Sequence, residues 1–392
     1  MIVCSLALLT ACVDDDIDQL GRRAQDVGVE DRLQVHTTRV LFDGGTDGYH
    51  SYRIPSIVRS PNGTLLAFAE GRKDDNRDYG NINVVYKMSL DNGATWSGLK
   101  QVVGVGPGTW GNPTAVVDVR QNRVWLMMSW NAGDHNQHGT DGFLKISRWG
   151  DRRVFVSHSD NDGATWTTPE DLTATLLPAN ATWDAIGPGT GIQTQDGRLV
   201  IPAIGRNIYA ESDTVARTVW KYALTPTGTS EATVVELLDG SLMRNDVGLS
   251  APWDAAHRRF VARGTIERGF STFAPDGALL DPRCEGSIFR YTPGRILFLN
   301  PSSTVERCRM GLRISYDDGH SWPIRRSVYD TVSADAACAA GKGGYSSITK
   351  TADNEIGMLI ETNEAPGAST SHRSIEFHKA NLPWLLDGTP EP

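Results

Sequence analysis

The sequence predicts an all-β protein built from repeated strand-and-turn units. An eight-residue pattern occurs three times, at residues 89–96, 159–166 and 315–322, and each copy follows a short β-type run. Many other short β-type runs are separated by Gly, Pro, Asn and Asp, and no amphipathic helix of comparable length interrupts them. A recurring unit with even strand spacing is typical of a propeller, a barrel or a sandwich.

Each copy of the eight-residue pattern has the residue types of a tight turn. In the first copy, Asp91 can accept hydrogen bonds from its own loop, Gly93 supplies a positive φ, and Thr95 can close the loop. Trp96 ends the copy and is predicted to begin the next strand, where it brings a large apolar surface to bury. We therefore expect the three copies to be hairpin turns with a structural role.

The further β-type runs extend through the chain after Val35. No low-complexity linker separates them, so we expect a single domain over residues 36–385. The runs are Thr64–Phe68, Val84–Tyr86, Arg123–Met128, Leu199–Ala203, Thr218–Leu224, Arg259–Ala262, Arg295–Leu299 and Ile356–Ile360.

The composition favours a globular protein whose partner is not a nucleic acid. The 392 residues are 39% hydrophobic and 22% charged, and the formal net charge is −9. This charge argues against nucleic acid and gives no long-range attraction to an anionic ligand, so an anion site must be a local cationic pocket. No spacing typical of metal ligands is present, since His135 and His138 alone are too few, and we expect no metal and no cofactor.

The N-terminal segment predicts export and anchoring. Residues 2–13 are almost wholly apolar and contain Leu9-Thr10-Ala11-Cys12, which resembles the signal of a bacterial lipoprotein. We expect residues 1–12 to be a signal segment, Cys12 to carry lipid as a membrane tether, and residues 13–35 to be a polar tether. The protein would then lie at a bacterial cell envelope or be secreted. The alternative is an apolar start that arose by chance.

Three cysteines remain beyond the predicted signal, namely Cys284, Cys308 and Cys338. An odd number cannot all pair within one chain, so at most one disulfide is expected among them. The sequence leaves the choice of pair open.

The segment Tyr52-Arg53-Ile54-Pro55 resembles the start of the sialidase family, and the eight-residue pattern resembles the "Asp box" of that family. From His36 to Lys379 the chain is similar to bacterial exo-α-sialidases (neuraminidases). The resemblance implies a six-bladed β-propeller whose site lies where loops converge on the central axis. It also implies an enzyme that removes terminal sialic acids from glycoproteins, glycolipids and oligosaccharides.

The resemblance implies an arginine cluster that binds the carboxylate of a sialic acid. Arg53 and Arg307 match two members of the cluster, and Arg72 matches a further arginine that lines the pocket. Glu361 matches the acidic residue that orients Arg53. A planar guanidinium suits this task because it makes two parallel hydrogen bonds to a carboxylate.

One position departs from the family pattern. Val247 stands where the family has the second arginine of the cluster. Arg244 is close in sequence but would point to the opposite face of an unbroken strand. Either Arg244, Arg259 or Arg263 replaces the second arginine, or carboxylate binding is weakened.

The remaining chemical roles are an acid and a nucleophile. Asp78 matches the acid/base position of the family, with Asp74 and Asp75 as neighbouring alternatives. Tyr345 matches the nucleophile, and Glu231 matches the base that activates it. A neutral Tyr avoids the repulsion that a carboxylate nucleophile would meet beside the carboxylate of the substrate.

The sequence therefore predicts an exo-α-sialidase that hydrolyses its substrate with retention of configuration. Two enzyme alternatives share this machinery, a trans-sialidase and a hydrolase of a related nonulosonic acid. A propeller that binds sialoglycans with little catalysis is the alternative from a different class, and Val247 is the residue that favours it.

Overall fold

The computed structural model describes residues 33–392 except 105, 213–217, 250, 252–254, 331 and 363–371. The predicted signal segment and most of the predicted tether lie outside the described residues. The lipidation of Cys12 and the location at a cell envelope therefore stay predictions. Among the described residues, no helix has both the length and the apolar character needed to cross a membrane.

In this part of the chain, 28 strands follow one another with only short helices between them. The helices that can be described are Thr173–Leu176, Ala334–Ala339 and Leu382–Leu386. The strands are β1 (His36–Phe42), β2 (Ser51–Arg59), β3 (Leu65–Arg72), β4 (Ile82–Ser89), β5 (Lys100–Val103), β6 (Gly108–Asp118), β7 (Arg123–Ala132), β8 (His135–Asn136), β9 (Leu144–Lys145), β10 (Arg152–Ser159), β11 (Glu170–Asp171), β12 (Gly189–Thr190), β13 (Ile192–Gln193), β14 (Arg198–Ala203), β15 (Arg206–Glu211), β16 (Lys221–Leu224), β17 (Thr229–Glu236), β18 (Leu242–Gly248), β19 (Arg258–Thr265), β20 (Gly269–Phe270), β21 (Ala274–Leu280), β22 (Ser287–Thr292), β23 (Arg295–Pro301), β24 (Met310–Ser315), β25 (Ile324–Ser327), β26 (Lys342–Lys350), β27 (Ile356–Thr362) and β28 (Ser374–Ala380).

These strands form an all-β propeller, as predicted, but the prediction of six blades is wrong. Four sheets of the described residues have the size of a blade: β1-β28-β27-β26, β13-β14-β15-β16 and β22-β23-β24-β25 have four strands each, and β17 to β21 form one of five. A further sheet has nine strands, β2 to β7 with β10, β11 and β12. It is continuous because Ile82 of β4 pairs in parallel with Thr109 of β6. The arrangement is therefore a propeller with four separate blades and one larger sheet.

The first strand closes the propeller. β1 pairs antiparallel with β28, so His36 lies opposite Ala380 and a strand from the start of the domain completes a sheet made from its end. The apolar core lies between the faces of neighbouring sheets. For example, Val116 and Met127 of the nine-stranded sheet pack with Leu199 of β14 in one fully buried cluster. Alternation of side chains along each strand places these residues on the covered faces.

The eight-residue patterns are turns between the outer strands of their sheets, as predicted. In the first, Ser89 Oγ accepts the N–H of Gly93 at 2.8 Å, and Asp91 Oδ1 accepts the N–H of Thr95 at 2.8 Å. The other two copies repeat these contacts. One detail differs from the expectation, because Trp96 lies before β5 rather than beginning it.

The glycine of each pattern allows the turn to pack against a strand outside its own hairpin. Gly93 has φ +87°, and a Cβ built there would lie 2.3 Å from the ring of Phe377 in β28. At Gly163 and Gly319 the corresponding contacts are Leu66 at 2.5 Å and Met243 at 2.7 Å. Any side chain at these positions would push the turn away from the strand that it packs against, so the three turns are structural.

A disulfide joins Cys308 to Cys338, while Cys284 is a buried free thiol. The bond ties the loop that carries Arg307 to the helix Ala334–Ala339, which leads into β26. These two cysteines and Glu306 also form a group with the spacing of metal ligands. Their sulfurs are bonded to each other and offer no thiolates, so the group does not constitute a zinc-type site.

The disulfide is expected to contribute substantially to stability. It closes a loop with a sequence separation of 30 residues, for which the chain-entropy relation gives about 3–4 kcal/mol. The double variant Cys308→Ser/Cys338→Ser should therefore unfold at a lower urea midpoint than the oxidised protein. A reducing agent should bring the wild type to the midpoint of the double variant and leave that variant unchanged. Equal midpoints for oxidised wild type and double variant would contradict the expectation.

Candidate active site

A cavity of about 570 Å³ opens where loops and inner strands of different sheets meet. Five of the predicted site residues line it: Arg72, Asp78, Glu231, Arg307 and Tyr345. They come from β3, the loop after it, β17, the loop between β23 and β24, and β26. The fold therefore brings together residues that are far apart in sequence.

Arg53 and Glu361 lie directly against this group. Arg53 Nε and Nη2 donate to the two carboxylate oxygens of Glu361 at 3.1 Å each, and Arg53 Nη1 donates to Asp78 Oδ1 at 3.1 Å. Desolvation raises the pKa of Glu361, but the charges of Arg53 and His372 outweigh it and hold the pKa at about 2. Glu361 is thus ionised at neutral pH and fixes the plane of the Arg53 guanidinium.

The backbone at Tyr52-Arg53-Ile54-Pro55 is irregular. Ile54 has φ +58°, which is rare for a β-branched residue, and the pairing of β2 with β3 shifts register between Arg53 and Ser56. The N–H of Ile54 donates to Glu361 Oε1 at 2.9 Å. Pro55 has no N–H to lose at such a bulge. Strain of this kind costs about 1–3 kcal/mol and is typical of functional sites.

Asp78 is held by two arginines while its carboxylate faces the cavity. Its Oδ1 lies 2.8 Å from Arg72 Nη2, and its side chain is 73% exposed. Desolvation raises the pKa of Asp78, but the positive charges of Arg72 and Arg53 outweigh it and lower the pKa to about 2. The alternatives Asp74 and Asp75 do not line the cavity, and Asp75 is paired with Arg77 instead.

Arg72 organises the loop that carries Asp78. It is buried and donates to Glu70 Oε2 from Nε at 3.1 Å and from Nη2 at 2.7 Å. Its Nη1 donates to the carbonyl oxygen of Asn76 at 2.5 Å. Arg72 therefore fixes the loop through its hydrogen bond to the main chain of Asn76, and it fixes the side chain of Asp78 through an ion pair.

Tyr345 and Glu231 form a hydrogen-bonded pair at the cavity wall, with the Tyr345 hydroxyl donating to Glu231 Oε1. Burial raises the pKa of Tyr345 well above its ordinary value, and the Glu231 charge raises it further. Burial also raises the pKa of Glu231. The phenol is thus neutral at neutral pH and has a carboxylate within reach that can take its proton.

Two buried carboxylates fix the backbone of the tyrosine segment. Tyr345 N donates to Glu361 Oε2 at 3.1 Å, and Ser346 N donates to Glu285 Oε2 at 2.8 Å. A Cβ on Gly344, which has φ +157°, would lie 2.7 Å from Glu361 Oε2. Glycine before Tyr345 is therefore required for Glu361 to reach the chain.

Cations flank the tyrosine ring. The Cζ atoms of Arg53 and Arg307 lie 5.2 Å and 5.6 Å from the ring centroid of Tyr345. Both positive charges favour the ionised phenol, and they oppose the effect of burial on its pKa. The same two groups can receive an anionic ligand in front of the ring.

None of the arginines predicted to replace the one missing at Val247 lines the cavity. Val247 itself does, and it is buried. Arg244 lies on the other face of β18, fully buried, and donates to Asp246 and to the carbonyl oxygens of Arg206 and Ala203. These contacts occupy its guanidinium.

Arg259 and Arg263 are also committed elsewhere. Arg259 is buried and donates to Asn245 and to the carbonyl oxygen of Cys284. Arg263 is half-buried and interacts with the charges of Asp318 and Asp276. The expectation that one of the three replaces the second arginine finds no support in these positions.

The cavity contains two arginines that the sequence interpretation missed, Arg152 and Arg283. Arg152 is buried and donates to Asn131 Oδ1 at 2.6 Å and Asn112 Oδ1 at 3.2 Å. Neither arginine lies in a recognisable motif, and an isolated Arg is usually a surface charge. Only their positions in the folded structure identify them.

The arrangement combines an ionisable acid, a tyrosine–carboxylate pair and a cluster of guanidinium groups. Proton transfer requires a group such as Asp78 within hydrogen-bond reach of the substrate. Covalent catalysis requires a nucleophile in contact with a base, as Tyr345 is with Glu231. The cavity can therefore support acid-assisted displacement at a carbon atom that bears an anionic substituent.

Comparisons with known proteins show which family the chain belongs to. The BNR repeat-like domain matches residues 54–245. The chain is 44% identical to an exo-alpha-sialidase of Arthroderma benhamiae over 87% of this chain and 86% of that protein. It is also 44% identical to an exo-alpha-sialidase of Aspergillus fumigatus, with the same coverage of 87% and 86%. Both organisms are fungi, so the predicted bacterial origin gains no support from them.

A solved structure shares the fold. A Hadza microbial sialidase superimposes with a TM-score of 0.71 at 22% identity, over 88% of this chain and 68% of that chain. The fold likeness and the two relatives matched over most of their length point to the same conclusion. The chain belongs to the sialidase family and is an enzyme of the glycoside hydrolase class.

Proposed function

We propose that this protein is an exo-α-sialidase that hydrolyses terminal sialic acids from glycoconjugates with retention of configuration. The observation that carries the proposal is the hydrogen bond from the Tyr345 hydroxyl to Glu231, in a cavity that also contains Asp78 and Arg307. A tyrosine nucleophile is a recognised exception among retaining glycosidases, and it belongs to sialidases.

Substrate binding begins with the carboxylate on the anomeric carbon of the sugar. Arg53 and Arg307 flank the Tyr345 ring, so a carboxylate between them lies next to the phenol oxygen. Glu361 keeps Arg53 in plane for this contact. A carboxylate nucleophile here would face a second carboxylate at short range, whereas the neutral phenol avoids that repulsion.

Asp78 then acts as the acid. Its pKa of about 2 in the empty cavity means that it is ionised at neutral pH, because Arg72 and Arg53 face it. The carboxylate of the substrate neutralises part of this positive charge and raises the pKa of Asp78. Protonated Asp78 donates its proton to the glycosidic oxygen as the bond to the anomeric carbon breaks.

Tyr345 attacks the anomeric carbon while Glu231 takes the phenolic proton. The glycosyl–tyrosine bond forms as the leaving alcohol departs with the proton from Asp78. In the second half, Asp78 takes a proton from water, and the resulting hydroxide displaces Tyr345. Glu231 returns its proton to the phenolate. Each of the two displacements inverts the anomeric carbon, so together they restore the α-configuration.

The proposal is tested with 4-methylumbelliferyl α-sialoside. The purified protein should release the fluorophore, and proton NMR should show the α-anomer of the free sugar before the β-anomer. The matching glucoside, which has no carboxylate, is the control and should not be cleaved. First appearance of the β-anomer would mean direct attack by water, and an absence of turnover would favour a sialoglycan-binding propeller. Transfer of the sugar to an added acceptor would favour a trans-sialidase.

A further inference from the structure

Most guanidinium groups of the cavity are already bonded within the protein. Arg53 makes three hydrogen bonds to carboxylates, and Arg72 donates to Glu70 and lies against Asp78. Their charges are largely balanced before any ligand arrives. A monoanionic sugar therefore needs further positive charge from another side of the cavity.

Arg152 does not supply this charge at the surface of the cavity. It is buried, with its Nη1 and Nη2 donating to two asparagine side chains. Its Nε donates to the carbonyl oxygen of Asp184 at 2.7 Å. All three of its nitrogens thus have partners inside the protein.

Arg283 and Arg307 also line the cavity, and both are exposed to solvent, whereas Arg72 and Arg152 are buried. They are also coupled, since Arg307 Nη2 donates to the carbonyl oxygen of Arg283 at 2.8 Å. Arg283 lies between β21 and β22, where the chain passes from the five-stranded sheet to the next four-stranded one. Val247 of the former sheet and Arg307 of the latter line the same cavity as Arg283.

The backbone at Arg283 is held in an unusual conformation. Arg283 has φ +60°, in the left-handed region that non-glycine residues rarely adopt. The turn is fixed by Asp281 Oδ1, which accepts the N–H of Cys284 at 3.0 Å, and Cys284 is fully buried. Conformations of this kind persist where the surroundings determine them, and they occur at binding sites.

We propose that Arg283 supplies the positive charge that Val247 does not, and that it binds the substrate carboxylate together with Arg307 and Arg53. The inference rests on the proposed sialidase function. It assigns the carboxylate contact to a loop between two sheets instead of to β18. The ligand class is unchanged, a sugar acid with its carboxylate on the anomeric carbon.

The test compares a charged inhibitor with its neutral ester. The probes are 2,3-didehydro-2-deoxy sialic acid and its methyl ester, measured by calorimetry. Arg283→Gln should weaken binding of the acid by about 10- to 100-fold, because one charge-assisted contact is lost, and should change binding of the ester little. Arg283→Lys should retain part of the affinity. Arg268→Gln removes an exposed arginine outside the cavity lining and is the matched control.

A rescue experiment separates binding from folding. Val247→Arg added to Arg283→Gln should recover affinity for the acid and leave affinity for the ester as it was. If Arg283→Gln and Arg268→Gln bind the acid equally well, the inference about Arg283 is overturned while the sialidase proposal stands. If the wild type binds neither probe and cleaves no sialoside, the proposed function itself has failed. Equal loss for acid and ester would assign Arg283 a structural role and would also overturn the inference.

Discussion

Replacing Tyr345 with Phe is expected to lower kcat on sialosides by about 10³-fold, which corresponds to roughly 4 kcal/mol of transition-state stabilisation. The nucleophilic oxygen is lost, while the ring that packs between Arg53 and Arg307 remains. In the wild type, a 2,3-difluorosialic acid should label Tyr345 covalently, and peptide mass spectrometry should locate the label. A label on another residue would refute the assignment of the nucleophile.

Glu231→Gln should label far more slowly, because the phenol then has no partner to take its proton. Burial raises the pKa of Glu231, so the base is present above this raised pKa and is lost as the pH falls through it. The labelling rate of the wild type should therefore fall toward acid pH, at a higher pH than for an ordinary glutamate. In the Glu231→Gln variant this acidic fall should disappear.

The chain contains a matched control for the tyrosine–carboxylate pair. The hydroxyl of Tyr329 donates to Glu376 Oε2 at 2.9 Å, and Tyr329 is buried outside the cavity lining. Tyr329→Phe should retain kcat and labelling. If it lost as much activity as Tyr345→Phe, the effect of either substitution would have to be attributed to folding.

Asp78→Ala is expected to lower kcat/KM for natural sialosides by about 10²–10⁴-fold, because proton donation to the leaving oxygen is lost. The loss should be much smaller for 4-methylumbelliferyl sialoside, whose leaving group needs little protonation. Parallel kinetics on sialyllactose and on the fluorogenic substrate measure the difference.

Asp74→Ala is the control for the same loop, because Asp74 is exposed and does not line the cavity. It should change neither rate appreciably. Equal losses on both substrates for Asp78→Ala would remove its assignment as the acid. A selective loss for Asp74→Ala would transfer that assignment to Asp74.

Part of this structure follows from local sequence patterns. The contacts of Ser89, Asp91 and Thr95 depend on residues within one turn, so the repeated pattern was sufficient to predict the turns. Each predicted β-type run also overlaps an observed strand. The resemblance to sialidases singled out Tyr345 and Asp78, and both line the cavity.

The boundaries between sheets could not be predicted in this way. The nine-stranded sheet depends on the parallel pairing of Ile82 in β4 with Thr109 in β6. Parallel strands are joined by long connections, so no local turn pattern predicts which strand β4 pairs with. The pairing of Cys308 with Cys338 could not be predicted for the same reason, because it depends on which cysteines the tertiary structure brings close together.

The sequence by itself determined the all-β class and the turn chemistry, because these depend on residue types at short spacing. The catalytic roles of Asp78, Tyr345 and Glu231 stay predictions that rest on the resemblance to sialidases. Only the tertiary structure decided how the sheets join and which arginines reach the cavity. The guanidinium of Arg244 is buried and hydrogen-bonded to Asp246, whereas Arg283 lines the cavity together with Arg307. The physical reason is that the function of a charged side chain depends on its burial and its partners, and residues distant in sequence set both.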